Sequence, residues 1–391
     1  MHICFISYEY PPDTGIGGIA TYVYQVAKAF SAKGIQTEVI CASPLYSGTH
    51  KENEWLNVTK IKCSRITDFR KLSPAVAAQR HQLRPFDMIE VPEYGAEGLY
   101  IKEKLPDVPL VIKLHTPKYL IKELNDFYYD QTFIRKIKRS VGLVYDKNKD
   151  PEYIAIQLAD HILSPSLSLK KIVAAKWGIA KEKILHAPNP YFPSPALLNI
   201  PVIATEKKFL YLGRLETRKG VYNLAKAIPF VLKKIPEAQF IFLGKDSRGP
   251  FRERSMKEVM LREIGDARRQ VTFIDHVPLT EIPGYLSTAG LCVFPSLWEN
   301  FPNVCLEAMS AGKAIVASSE GGMKDMLEDI QGGSLVNPHD VKEISEQICQ
   351  WLANPSERIK SGQRNRDKAV NYYGDRLINE LINMYQSFCK R

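Results

Sequence analysis

Apolar positions along the chain fall into two copies of one plan. Residues 2–7 form a continuous, mostly apolar run, as expected for a strand buried on both faces of a parallel sheet. A loop rich in Pro and Gly follows from Tyr8 to Gly18. The spacing of Tyr22, Val26, Ala29 and Phe30 then predicts an amphipathic helix from about Ile19 to Lys33, with Gly34 where a C-cap belongs. A second strand is expected over Thr37–Ala42. The later part of the chain repeats the pattern: strand Phe209–Gly213, a basic loop containing glycine, helix Tyr222–Lys234 stopped by Pro236, and strand Gln239–Gly244. Short strands recur near 291–294 and 314–318, each beside a helical stretch.

This is the rhythm of an α/β protein with two Rossmann-like, doubly wound domains. A chain of 391 residues is also too long for one hydrophobic core, which stops growing at roughly 250–300 residues. Pro188, Pro190, Pro193, Pro195 and Pro201 cluster between the halves and predict a stiff, extended linker. The expected division is an N-terminal domain over 1–190, a linker over 191–206 and a C-terminal domain over 207–376. Two such domains facing each other form a cleft at the carboxyl ends of their strands.

Composition narrows the class. No apolar run reaches the ~18 residues of a membrane span, and the N-terminus reads as a strand without the basic leader of a signal peptide. Seven scattered cysteines argue against a disulfide framework and for a reducing cytoplasm. The net charge of +10 is spread over both halves. That suits small anionic ligands or a lipid surface, and no aromatic and basic residues converge on a nucleic-acid module.

Two stretches carry chemistry. Gly213-Arg214-Leu215-Glu216-Thr217-Arg218-Lys219-Gly220 lies between a strand and a helix. A helix N-terminus flanked by an Arg fork and a Lys point charge suits a diphosphate; a basic surface turn fits the spacing equally well. Trp298-Glu299-Asn300-Phe301-Pro302-Asn303-Val304-Cys305-Leu306-Glu307 places one acid in a loop and the next on a largely buried helix starting near Pro302. Such acids could accept hydrogen bonds from sugar hydroxyls, or Glu307 could pair with a base.

Weaker features stand beside these. Gly15-Ile16-Gly17-Gly18 is a flexible turn or a phosphate loop, but no acid ends the second strand, which counts against NAD. His115 ends an apolar strand, as a cleft residue or a structural cap. Gly321-Gly322 presents amides or simply turns the chain. No Asp-x-Asp, P-loop, histidine-rich metal cluster or Gly-x-Ser-x-Gly occurs, so side-chain cations would have to neutralise a leaving diphosphate.

Taken together, Gly213-Arg214…Lys219-Gly220, then Glu299-x7-Glu307, then Gly321-Gly322 resemble the retaining glycosyltransferases of the GT-B fold, known as glycosyl transferases group 1, over nearly the whole chain. The resemblance implies transfer of a hexose-type sugar from a UDP- or GDP-linked donor, with no metal and no other cofactor. It implies that Arg214 and Lys219, beside Gly213, bind the diphosphate, that Glu307 holds the ribose and that Glu299 approaches the sugar. Gly17 and Gly18 would close over the phosphates and His115 would contact the sugar. Asn300, Phe301, Pro302, Asn303, Val304, Gly322 and Met323 would line the sugar pocket, and Gly244 and Val277 would complete the donor site. The last helix, Leu377–Phe388 within 377–391, would return to the first domain. Two departures stand out: Gly244-Lys245-Asp246 replaces a common Gly-x-Gly, and Asn300-Phe301-Pro302-Asn303 replaces Gly-Phe-Gly.

The acceptor is expected on the N-terminal domain. Phe127–Lys149 mixes aromatic and aliphatic residues with Arg135, Lys136, Lys138 and Arg139. It reads as an ordinary amphipathic helix or as a contact with an anionic membrane face. A glycan or lipid-linked acceptor, in cell-surface polysaccharide or glycolipid synthesis, follows from the second alternative. A sugar phosphorylase or another nucleotide-sugar-processing enzyme of the same fold is the competing enzyme reading. A non-catalytic glycan- or nucleotide-binding protein is the competing reading of a different class.

Overall fold

The computed structural model describes residues 1–15, 17–130, 145–203, 206–250, 255–329 and 331–389. They form two compact units. The first comprises Met1–Lys118, Tyr145–Phe192 and Tyr372–Arg391; the second comprises Tyr119–Val144, of which 119–130 are described, and Pro193–Asn371.

The first unit is built on β1 (His2–Ser7), β2 (Gln36–Ser43), β3 (Gly48–Asn53), β4 (Leu56–Lys62), β5 (Met88–Pro92), β6 (Leu110–Lys113), β7 (His161–Ser164) and β8 (Ile184–His186). Their order across the sheet is β3-β4-β2-β1-β5-β6-β7-β8, parallel except for the β3–β4 hairpin. The apolar run of residues 2–7 is buried throughout, as is β2. The first helix is Gly18–Ala32, and it buries Tyr22, Val23, Val26 and Phe30 at helical spacing. The last helix, Gly374–Cys389, buries Leu377, Ile378, Leu381 and Tyr385, and the Tyr385 ring meets Phe30 edge-on at 5.8 Å. The Tyr385 hydroxyl donates to the buried Glu90 carboxyl on β5. Burial pushes Glu90 up to about 7, opposed by the neighbouring Lys113 ammonium on β6.

The second unit is built on β9 (Lys208–Leu212), β10 (Gln239–Leu243), β11 (Val271–Ile274), β12 (Leu291–Phe294), β13 (Ile315–Ser318) and β14 (Gly333–Val336). Their order is β11-β10-β9-β12-β13-β14, with all pairs parallel. The direction of winding reverses between β9 and β12, and between β1 and β5 in the first unit. At such a switch point the loops leaving the carboxyl ends diverge and open a crevice.

The structure departs from the expected elements where proline is involved. Instead of a fully extended linker, Pro195 opens a helical turn, Pro195–Leu198, with the Ser194 hydroxyl accepting from Leu197 N–H at 3.4 Å. Proline lacks only an N–H that the first helical position leaves unpaired. Pro302 sits one residue ahead of the helix Asn303–Ser310 and outside its first turn. The basic amphipathic segment proposed for Phe127–Lys149 lies, over 131–144, outside the described residues. Its described start packs within the second unit: Phe127 stacks on His339 at 4.6 Å, and Tyr128 meets Tyr222 edge-on at 5.1 Å. Among the described residues, no helix is long and apolar enough to cross a membrane.

Gly220 joins β9's loop to the helix Val221–Lys234 with φ of 71°, and a Cβ there would lie 1.7 Å from the Pro295 carbonyl oxygen. Gly220→Ala is therefore expected to cost at least about 2 kcal/mol, from left-handed strain plus the clash. Urea unfolding of both proteins measures this; an unchanged midpoint would contradict the packing described.

Candidate active site

The loop that leaves β9 carries alternating charge. Tyr211, buried on β9, donates its hydroxyl to the Arg214 carbonyl at 2.9 Å and fixes the turn after Gly213. Thr217–Lys219 then form a single 3-10 turn directly ahead of the helix Val221–Lys234. This places Lys219 at that helix's N-terminus, where backbone dipoles favour an anion.

The loop that leaves β12 comes to meet it. Leu297 N–H donates to the Arg218 carbonyl at 2.8 Å. Arg218 Nη1 donates to Glu299 Oε1 at 2.8 Å, Lys219 Nζ pairs with the same oxygen, and Arg218 Nη2 reaches Glu216 at 2.8 Å. Arg214 stands at the outer end of this row, 3.5 Å from Glu216 with its side chain 62% exposed. Glu299 is 8% exposed. Burial pushes its carboxyl up, but the Lys219 and Arg218 charges together outweigh that and hold it below the usual carboxylate range. Glu299 is thus ionised, and the loop retains one net positive charge for an incoming anion.

A third loop closes the ring. Gly321 has φ of 81°, and a Cβ there would lie 2.2 Å from the Glu299 carbonyl oxygen. Gly322 N–H donates to that same oxygen at 2.7 Å. The Gly322 amide therefore ties the β13 loop to Glu299 instead of facing a ligand, and the Met323 side chain is 1% exposed. Only main-chain atoms of these residues are suited to lining a pocket.

Glu307 differs from Glu299. It is half-buried on the helix Asn303–Ser310, and no ion pair to it is found among the described residues. Burial pushes its carboxyl up to about 7. Asn300 and Pro302 are buried, and Phe301, Asn303 and Val304 half-buried, between the two acids. Gly244, with φ of 152°, abuts the Gly213 carbonyl: a Cβ would lie 2.0 Å from its oxygen. Val277 lies in the loop after β11.

The remaining expected residues belong to the first unit. Gly17 caps the helix that starts at Gly18, above the Glu9 side chain: a Cβ on Gly17 would lie 3.4 Å from Glu9 Oε2. His115 follows β6, and its N–H donates to Glu93 Oε2 at 2.6 Å. Its ring meets Tyr22 edge-on at 5.4 Å. Burial, with the Lys113 charge, pushes the His115 imidazole down to about 3, so it is neutral at physiological pH. Sequence reasoning missed Arg218, Glu216, Glu93 and Glu9; the charge alternation of residues 214–219 was the signal for the first two.

Two Rossmann-like units, with a cationic loop and two unlike carboxylates at a switch point, define an α/β enzyme that handles an anionic ligand. The family models agree with this and are more specific. "Glycosyl transferases group 1" matches residues 199–368 and "Glycosyltransferase Family 4" matches residues 16–206. The chain belongs to the group 1 glycosyltransferases of GT-B fold. Spore coat protein SA of Bacillus subtilis is 28% identical, with 99% of each chain covered. Sucrose-phosphate synthase from Thermosynechococcus elongatus superposes with a TM-score of 0.75 at 19% identity, covering 99% of both chains. Anabaena HepE in complex with UDP has a TM-score of 0.68 at 17% identity, covering 99% of this chain and 100% of its own.

The Glu307 carboxyl sits at about 7 in the fold against 4.5 as the ordinary value, so the folded state binds the extra proton. Its contribution to stability is complete below about pH 4.5 and is lost as pH rises through about 7. Urea midpoints of wild type relative to Glu307→Gln should therefore fall between pH 5.5 and 8; parallel profiles would show that Glu307 is not desolvated.

Proposed function

We propose that the chain is a retaining, metal-independent hexosyltransferase that uses a UDP- or GDP-linked sugar. The observation that supports this best is the meeting of Arg214, Lys219 and Glu299 at the β9/β12 switch point, where one helix N-terminus faces the same space. HepE, the structural neighbour named above, holds UDP, which favours a uridine donor.

In this reading Arg214 and Lys219 hold the donor diphosphate. Departure of the nucleoside diphosphate breaks the bond from the sugar's anomeric carbon to the β-phosphate oxygen and builds negative charge on that phosphate. The two side-chain cations and the backbone amides stabilise it. The acceptor hydroxyl attacks the anomeric carbon from the face the phosphate leaves, and its proton passes to the departing phosphate oxygen. No separate base is required. Glu307 accepts hydrogen bonds from the ribose hydroxyls. Those bonds favour its ionised form, so donor binding and deprotonation of Glu307 support each other. Glu299, ionised, lies near the sugar. In the first unit, neutral His115 can donate or accept a hydrogen bond without adding charge. The acceptor is a glycan or lipid-linked glycan, as befits synthesis of surface polysaccharide or glycolipid.

Purified protein should be stabilised against heat by one of UDP, GDP and ADP and should slowly hydrolyse the matching nucleotide sugar. Lys219→Ala should lower that turnover by about 10²–10³-fold, and Glu307→Ala should abolish measurable donor binding, both with the fold intact by circular dichroism. Near-wild-type rates in both variants would refute the assignment.

A further inference from the structure

Arg218 is a third cation of the β9 loop, beside the Arg214 and Lys219 assigned above to the diphosphate. Arg218 is tied to both site loops: its carbonyl accepts from Leu297 N–H, and its guanidinium spans Glu299 and Glu216 with one arm on each, both at 2.8 Å. Its side chain is 14% exposed, against 62% for Arg214. Lys219 shares the Glu299 oxygen that Arg218 already holds.

We propose that Arg218 is a positioning residue that keeps Glu299 paired and in place while Lys219 turns from Glu299 to the donor diphosphate. The inference rests on the donor-site reading above. A phosphate that draws on the Lys219 ammonium weakens its hold on Glu299, and a buried carboxylate left without a cation is strongly disfavoured. Arg218 remains on Glu299 through that exchange. Glu216, on the other arm, keeps Arg218 from following Lys219 to the phosphate. A planar fork holds two carboxylates on opposite arms in a fixed geometry, which a point charge on a flexible stem does less firmly. The charges facing Glu299 are Lys219, Arg218 and Arg214 from this loop and the Tyr211 phenol from β9, with Glu216 beyond Arg218.

The test uses the full chain and whichever of UDP-, GDP- and ADP-glucose the wild type hydrolyses fastest. Arg218→Met should raise the donor KM by about tenfold or more and lower kcat by about tenfold, because Glu299 then competes with the donor for Lys219. Arg218→Lys should restore kcat to within about threefold of wild type while leaving KM raised by about three- to tenfold, because its ammonium still neutralises Glu299 but holds the two acids less firmly than the fork does. A folded Arg218→Met protein with wild-type KM and kcat overturns the proposal. So does an Arg218→Lys kcat as low as that of the Met variant. If Arg218→Met does not fold, the Lys variant alone decides by the same criterion. Wild-type turnover in Lys219→Ala would instead overturn the donor-site reading, whereas an inactive Lys219→Ala beside a normal Arg218→Met overturns the role of Arg218 alone.

Discussion

A single buried carboxylate governs the loops of the second unit. Glu299 sits where the loops from β9 and β12 converge, and the cations of the opposite loop, Lys219 and Arg218 foremost, offset the cost of its burial. Removing one partner from a buried pair of this kind typically costs about 3–5 kcal/mol. The pairing therefore dictates how closely the loops approach. That closeness in turn explains the glycines on either side. Gly220 lies against the Pro295 carbonyl and Gly321 against the Glu299 carbonyl, both at separations where no side chain fits. The charge arrangement and the glycine positions are two expressions of one constraint, set at the point where the sheet reverses its winding.

The two acids of the site are chemically distinct because their surroundings are. Glu299 faces cations and stays ionised; Glu307 faces none among the described residues and is pushed up to about 7 by burial. Environments that drive two carboxyls apart assign them different work. The first is a fixed charge that organises the cationic loop. The second is driven toward its neutral form by burial alone. His115 adds a neutral, oriented ring in the first unit, held through its main chain by Glu93.

Much of this was legible in the sequence, and the reasons are physical. Buried parallel strands announce themselves as apolar runs, and β1, β9 and β12 fall where those runs predict. Arg214, Lys219, Glu299 and Glu307 stand out because loops that follow such strands lead to the carboxyl edge. Arg218 was not legible as a distinct residue. Next to Lys219 it reads as more of the same basic patch, and only the 3-10 turn decides that it points into Glu299 and Glu216. Gly321-Gly322 was legible only as two alternatives, amides for a ligand or a turn, because sequence does not show that the Gly322 N–H is occupied by the Glu299 carbonyl. Glu90 and Lys113 escaped notice because each sits alone within an otherwise apolar strand, where pattern reading sees only burial.

The first unit solves the same problem of anchoring loops in a different currency of charge. Its carboxyl-edge loops are pinned by buried acids that accept from backbone amides: Glu97 from Tyr8 at 2.7 Å, Glu152 from Gly95 and Lys118 at 2.8 Å each, and Glu93 from His115. Burial raises all three above the usual carboxylate range, Glu152 to about 7, and Glu152 raises Glu93 further. Pinning by amides thus tolerates protonated acids, whereas pinning by Lys219 and Arg218 demands an ionised one. The two units thus anchor their loops by opposite means: the second by a carboxylate held ionised between cations, the first by carboxyls that burial drives toward the neutral form.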